Sequence, residues 1–538
     1  MKDLSSLQIK DIPDPWQRGI EGGWDVIDGA RMEQDQTLEA DVVIVGSGAG
    51  GGVSAEILAQ AGLKVVVVEA GRLHSSDEFN MQEDRAYRNL YQEAGAMATA
   101  DGGISILQGR AVGGSTVVNW TSSFRTPEQT LDYWRDTFGV QDLDRSALDP
   151  WFARMEERLK ISTWTREPNA NNDVLRRGCE AMGWHWERIP RNVSGCLDIG
   201  YCGMGCPVNA KQSMLVTTLP GALDAGATLV HSCPAEQLEL DGDRVRAVRC
   251  RPLDAERRPT GATLTILADQ VVAAGGAIHT PGLLLRSGVP DPHGRVGKRT
   301  FLHVTSSALG FFEQEIAGYY GAPQSTYSDE FVWRDGVTGP MGYKLEVMPM
   351  HPGFMAGLAT GFGQEHREQM ERLPWTSAAL GIMRDGFHED SPGGEVKLRD
   401  DGSPMLEYPL TDYVLDGARR SLIAQTEMLF AGGAKSVRPR HGDAREYTSL
   451  AQAKKGIEEL RFEPYFVTLG SAHVMGGCAM GSDRQHGLVD DRGRYHHLAN
   501  LHVFDGSAFP TSLGVNPQLS IYALAARNAS RLADELTG

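Results

Sequence analysis

The sequence predicts an α/β fold, in which a Rossmann-type dinucleotide domain is assembled from separated segments with an α+β domain inserted between them. Three observations carry this reading. Residues 40–71, "ADVVIVGSGAGGGVSAEILAQAGLKVVVVEAG", read as strand, glycine turn, helix and second strand. Residues 300–465 change character to strand-like pieces followed by one long helical segment, and glycine-rich, motif-like text resumes from 466. At 538 residues the chain also exceeds what one hydrophobic core usually holds, so at least two packed units are expected.

In chain order, residues 1–37 are polar, with Pro and Trp, and read as an arm lying on the main body. The βαβ unit follows. Helical text occupies 128–160 and 171–183, within an excursion near 126–213 that carries a cysteine group. A strand pair, roughly 235–250 and 262–274, flanks the turn-like "DAERRPTG". "YKLEVMPM" and "GEVKLRDDGSPMLEYPL" read as strands of an antiparallel sheet, before the helix "VLDGARRSLIAQTEMLFAGG". The chain closes on "QLSIYALAARNASRLADEL", apolar at helical spacing. The expected division is therefore an arm at 1–37, a nucleotide domain at 38–300, a substrate-binding domain at 301–466 and a return to the first domain at 467–538.

Composition excludes more than it selects. A net charge of −18 argues against a nucleic-acid binder, which needs a basic face. No apolar run is long enough to span a bilayer. The opening "MKDLSSLQIKDIPDPWQRG" has no basic region followed by an apolar core, so no secretory signal is read and a cytoplasmic location is expected. Seven cysteines, an odd number, suit a reducing compartment better than a disulfide framework.

In Gly46-x-Gly48-x-x-Gly51, Gly46 allows the tight turn, Gly48 lets backbone approach a pyrophosphate, and Gly51 lets the helix pack close to the strand. The phosphates would sit at the helix N-terminus, where free N–H groups favour negative charge. Glu69, at the end of the second strand, would accept hydrogen bonds from ribose hydroxyls and repel a 2′-phosphate. NADP is thereby disfavoured, and NAD and FAD remain open. In a second cluster, "GRAVGGSTVVNW", Gly113, Gly114 and Ser115 can lay backbone N–H groups along an extended ligand, and Asn119 adds a side-chain amide for a ring edge.

Four separated blocks resemble the glucose–methanol–choline (GMC) oxidoreductases, FAD enzymes that oxidise alcohols. They are 40–71, "GRAVGGSTVVNW", "AAGGAIHTPGLLLRSGV" and the C-terminal "SAHVMGGCAMG…LHVFDGSAFPTSLGVNPQLSIYALAARNA". The resemblance implies FAD, bound non-covalently because no His lies in the second block. It implies cofactor contacts at Asp505 and Gly506 (pyrophosphate and ribityl), at the backbone of Ala235 (adenine), and at Arg110, Ala274, Asn516 and Pro517. It assigns no role to His303 in "VGKRTFLHV", which echoes the family only loosely.

Oxidising an alcohol requires a base for the hydroxyl proton and an acceptor for hydride, and His offers a pKa near neutrality. The resemblance implies His473 as that base and Asn516 as the hydrogen-bond partner of the substrate oxygen. Asn516 precedes a proline, which biases it to an extended backbone and suits an exposed side chain. In "GCLDIGYCGMGCPVNAKQS", Cys196, Cys202 and Cys206 are the candidates for iron–sulfur ligands. The preferred alternative is a compact turn with inert thiols or a Cys202–Cys206 disulfide. The segment looks still more like the cysteine–glycine stretch of long-chain (fatty) alcohol oxidases. The expected partners are therefore a hydrophobic or long-chain alcohol and O2 or another electron acceptor, as an oxidase or a dehydrogenase. A sugar or sterol substrate, or a lyase that uses FAD without net oxidation, are the alternatives.

Overall fold

The computed structural model describes residues 14–359 and 361–538; of the expected arm, 1–13 lie outside them. At its centre Gln36–Val45 pairs in parallel with Val65–Val68 on one side and Leu264–Ala273 on the other. Val42, Val43, Ile44 and the four valines of Val65–Val68 are buried, the near-continuous apolar run of a parallel strand covered on both faces. Thr228–His231 and Asp25–Asp28 extend this sheet outward from Val65–Val68, and Arg244–Cys250 and Ala235–Asp241 extend it from the other side. Leu501–Val503 also joins in parallel, against Leu264–Ala273. One sheet thus collects segments from across the chain, with helices Ala49–Gln60 and Gln518–Thr537 packed together beside it.

Two expectations change. The stretch 235–250 is two antiparallel strands, turning at Gly242 where φ is +59°. Residues 14–37 do not simply lie on the body. Asp14 caps helix Pro15–Glu21, Trp16 is buried with Nε1 donating to the Leu215 carbonyl at 2.8 Å, and Asp25–Asp28 becomes the sheet's edge strand.

The second sheet is mainly antiparallel. Thr305–Phe311 pairs with Thr376–Met383, which pairs in turn with Tyr343–Val347 and then Thr326–Phe331. Helix Asp412–Ala431 covers it, burying Val414, Leu415, Ala418, Leu422 and Leu429. This sheet is not confined to 301–466, because Ile104–Ile106, Glu187–Arg188 and Leu469–Ser471 belong to it. Strands of two or three residues carry no readable alternation, so pairing reveals them and periodicity does not. Among the described residues no helix is long and apolar enough to cross a membrane.

Candidate active site

The glycine turn is shaped by contacts that exclude a side chain. A Cβ on Gly50 would lie 1.6 Å from the Phe504 carbonyl oxygen, so helix Ala49–Gln60 meets the returning C-terminal segment backbone to backbone. A Cβ on Gly114 would lie 2.7 Å from the Gly48 Cα, which brings the two glycine clusters into contact. Gly48 caps the helix with no side-chain bond, leaving the first N–H groups open.

These turns border a cavity of about 880 Å³ between the two sheets. Gly46, Gly48, Glu69, Arg110, Gly114, Ser115, Asn119, Ala235, Ala274, His473, Asp505, Gly506, Asn516 and Pro517 all line it. Gly51 and Gly113 stand behind the wall. A Cβ on Gly51 would lie 1.8 Å from the Gly46 carbonyl oxygen, and the Gly113 N–H donates to Ser47 Oγ at 2.9 Å. Ser47 in turn donates from Oγ to Glu69 Oε2 at 2.7 Å, while Glu69 Oε1 accepts from the Gly71 N–H at 2.7 Å. Burial pushes the Glu69 carboxyl up against these bonds, which pull it down. Asp505 is spent within the protein, its Oδ2 accepting from the Gly276 N–H and Thr280 Oγ, each at 2.7 Å. Asn119 donates from Nδ2 to Gln518 Oε1 at 2.6 Å, which leaves its buried Oδ1 without a partner at the cavity wall.

At the other end of the cavity His473 is half-buried, and its Nδ1 lies 3.2 Å from Nδ1 of His303. Burial first, and the Lys344 charge second, push His473 down to about 3, so its imidazole is neutral at ordinary pH. His303 is buried, its imidazole is pushed well down by burial first and by His473 second, and its φ of +50° places it in the left-handed region. That conformation is held by Asp385, whose Oδ1 accepts from the His303 N–H at 3.1 Å and whose Oδ2 accepts from the Tyr408 hydroxyl at 2.7 Å.

Asn516 is buried and lines the cavity; its side chain caps no helix and is not exposed as its extended backbone suggested. Its Oδ1 accepts from Lys344 Nζ at 3.0 Å, and its Nδ2 donates to Glu346 Oε2 at 3.3 Å. Lys344 and Glu346 form an ion pair at 3.0 Å with both side chains fully enclosed. Sequence reasoning overlooked this pair and gave His303 no part. The available signal was Lys-x-Glu inside "YKLEV", a strand whose every residue is buried.

The chain matches the GMC oxidoreductase family over residues 87–305 with its N-terminal profile and over 390–525 with its C-terminal profile. An uncharacterized GMC-type oxidoreductase of Mycobacterium tuberculosis is 35% identical over 510 residues, covering 94% of this chain and 78% of that one. The chain belongs to the GMC oxidoreductases. A long-chain-alcohol oxidase of Arabidopsis thaliana is 30% identical to this GMC oxidoreductase over 527 residues, 93% of this chain and 68% of that one. Among solved structures, a pyridoxine 4-oxidase from Mesorbium loti superposes with a TM-score of 0.66 at 17% identity, covering 91% of this chain and 98% of that one. A formate oxidase variant from Aspergillus oryzae, described for its FAD modification, gives 0.69 at 16% identity over 93% and 99%.

The cavity of this GMC oxidoreductase fits the family's FAD on its own evidence. It offers open amides at a helix start, an acidic acceptor at Glu69, and an unpartnered Asn119 Oδ1 in the wall. The cysteine group lies elsewhere. Cys196, Cys202 and Cys206 are free thiols around a separate small cavity, with no disulfide between Cys202 and Cys206. Among the described residues no group of three or more His, Cys, Asp or Glu side chains is arranged to hold a metal ion.

Proposed function

We propose that this GMC oxidoreductase oxidises a hydrophobic alcohol to an aldehyde or ketone, with His473 as base and Asn516 as the oxygen-binding group. The observation that carries this reading is that both line the cavity bordered by the glycine turns, with His473 locked on one side by His303. FAD, held non-covalently along Gly46, Gly48 and Glu69, supplies the acceptor for the hydride.

Because His303 engages Nδ1 of His473, Nε2 is the nitrogen left for the substrate. For Nε2 to be basic, Nδ1 must carry the ring hydrogen and donate it to His303 Nδ1, so His303 selects the tautomer. Neutral His473 then takes the hydroxyl proton at Nε2 as the carbon-bound hydrogen leaves. Asn516 has its Oδ1 committed to Lys344 and one Nδ2 hydrogen to Glu346, so its remaining N–H steadies the negative charge growing on the substrate oxygen. Met348, Phe354, Leu358, Leu380 and Ile382 line the cavity with apolar surface, which supports a hydrophobic alcohol.

Anaerobic mixing of the yellow holoenzyme with a series of primary alcohols tests the reading. Apolar alcohols should bleach the flavin, and the colour should return with O2 or an artificial acceptor, which separates oxidase from dehydrogenase. A flavin that stays oxidised with every alcohol tried overturns the proposal. Acid or heat should release the FAD, and colour retained by the denatured chain would refute non-covalent binding.

A further inference from the structure

Arg440 is a buried cation without a counter-charge. It follows strand Ser436–Pro439, is only 7% exposed, and lines both the main cavity and the small apolar cavity beside it. Its side chain makes one hydrogen bond to the described residues, from Nη2 to the Leu358 carbonyl at the end of helix Pro352–Leu358. Among the described residues no carboxylate stands within ion-pair reach of it, whereas arginines nearby are paired. Arg372 binds Glu446 through both terminal nitrogens at 2.8 and 3.0 Å, and Arg438 lies 3.3 Å from Glu365. Burial alone pushes the Arg440 guanidinium down, to about 10. Keeping a guanidinium out of water is costly unless a charge and hydrogen bonds offset it.

The position of Arg440 relative to the proposed base is set by one strand. Its backbone N–H donates to the Ser307 carbonyl at 3.0 Å, and His303 lies four residues earlier on the same chain segment. At the rise of an extended chain four residues span at most about 13 Å. Thr305 and Ser307 line the cavity between these points, opposite Ile382 and Leu380, their partners in the sheet. The cavity therefore runs from a proton acceptor, past apolar walls, to an uncompensated positive fork.

We infer that Arg440 binds a carboxylate carried by the substrate at the end remote from its hydroxyl, so that the preferred substrate is an ω-hydroxy acid with an apolar chain. This rests on the reading of His473 as the base. A planar carboxylate suits the guanidinium fork, and ligand charge would offset the burial that the protein itself leaves unbalanced. The bond to Leu358 also ties the cation to the helix that lines the small cavity.

The test compares ω-hydroxydodecanoate with dodecanol in anaerobic flavin reduction by the holoenzyme, for wild type, Arg440→Met and Arg440→Lys. In wild type, kcat/KM for the hydroxy acid should exceed that for the alkanol by about 10–100-fold, the scale of a hydrogen-bonded charge. Arg440→Met should abolish that ratio, and Arg440→Lys should retain part of it. A wild-type ratio at or below one, or an Arg440→Met variant that loses both substrates equally, overturns the inference and leaves Arg440 a brace for Leu358. If neither compound reduces the flavin, the Arg440 site is judged by binding alone, and the alcohol-oxidation reading by the wider alcohol series. Dodecanoate should then perturb the flavin absorption of wild type and not of Arg440→Met. No perturbation in wild type overturns the anionic subsite as well.

Discussion

Lys344 Nζ lies 3.0 Å from Asn516 Oδ1, and both side chains are buried. With Glu346 taking a hydrogen from Nδ2 on the other side, the amide has one orientation, oxygen to the cation and nitrogen to the carboxylate. The same ammonium helps to hold His473 down at about 3. One buried cation thus acts on both residues assigned to the chemistry.

Lys344→Met should therefore move the acid limb of flavin reduction. A base at about 3 is fully neutral above about pH 5, so wild-type reduction should be flat there and fall only as the pH drops toward 3. Removing the cation takes away one of the two causes, raises the imidazole toward its ordinary value, and shifts the limb to higher pH. Lys344 itself is pushed down to about 8, mainly by burial, so the wild type should show a second decline above that pH that the variant lacks. Anaerobic stopped-flow across pH reads both limbs, and coincident profiles would sever Lys344 from the site.

His473→Ala should retain the fold and FAD yet slow flavin reduction by about 10²–10⁴, the contribution usual for a positioned acid–base group. Asn516→Ala should slow it less, because the base stays in place. Near wild-type reduction in His473→Ala, with the acid limb intact, would put the base elsewhere.

Glu69→Ala should weaken FAD retention by about 1–3 kcal/mol, measured by titrating apoprotein with FAD. The variant leaves Ser47 and the Gly71 N–H without their shared acceptor, so the loop as well as the ribose contact loosens. An unchanged dissociation constant would remove Glu69 from the cofactor site.

Gly50→Ala should lower stability by about 1–3 kcal/mol in urea unfolding, the range for forcing atoms into a closed space. The added methyl cannot stay 1.6 Å from the Phe504 carbonyl, so helix Ala49–Gln60 must move off the C-terminal segment. A wild-type midpoint would mean that this approach has slack.

The parts of the site that were legible in the sequence are those with a local signature. The turn at Gly46, Gly48 and Gly51 announces itself because steric need and spacing coincide within six residues, and Glu69 follows at the end of the adjoining strand. The βαβ unit and the long helices were legible because their periodicity persists over several turns. Lys344, Glu346 and His303 had no such signature. Lys344 meets Asn516 across 172 positions and His303 meets His473 across 170, encounters that only packing creates. The very short strands at 104–106 and 187–188 were hidden for a related reason, since their partners sit far away in the chain.

The strand Asp25–Asp28 has a consequence for handling the protein. It pairs in parallel with Thr228–His231 and is the last strand of the central sheet on that side. A truncation that starts beyond residue 28 would uncover the backbone donors and acceptors of Thr228–His231, a ready template for pairing with another molecule. Such shortened chains should be lost to inclusion bodies or soluble aggregates before any defect in turnover could be measured. The stretch before the glycine turn thus acts as a guard on the sheet, and N-terminal trimming should stop short of Trp16, whose indole is anchored to Leu215.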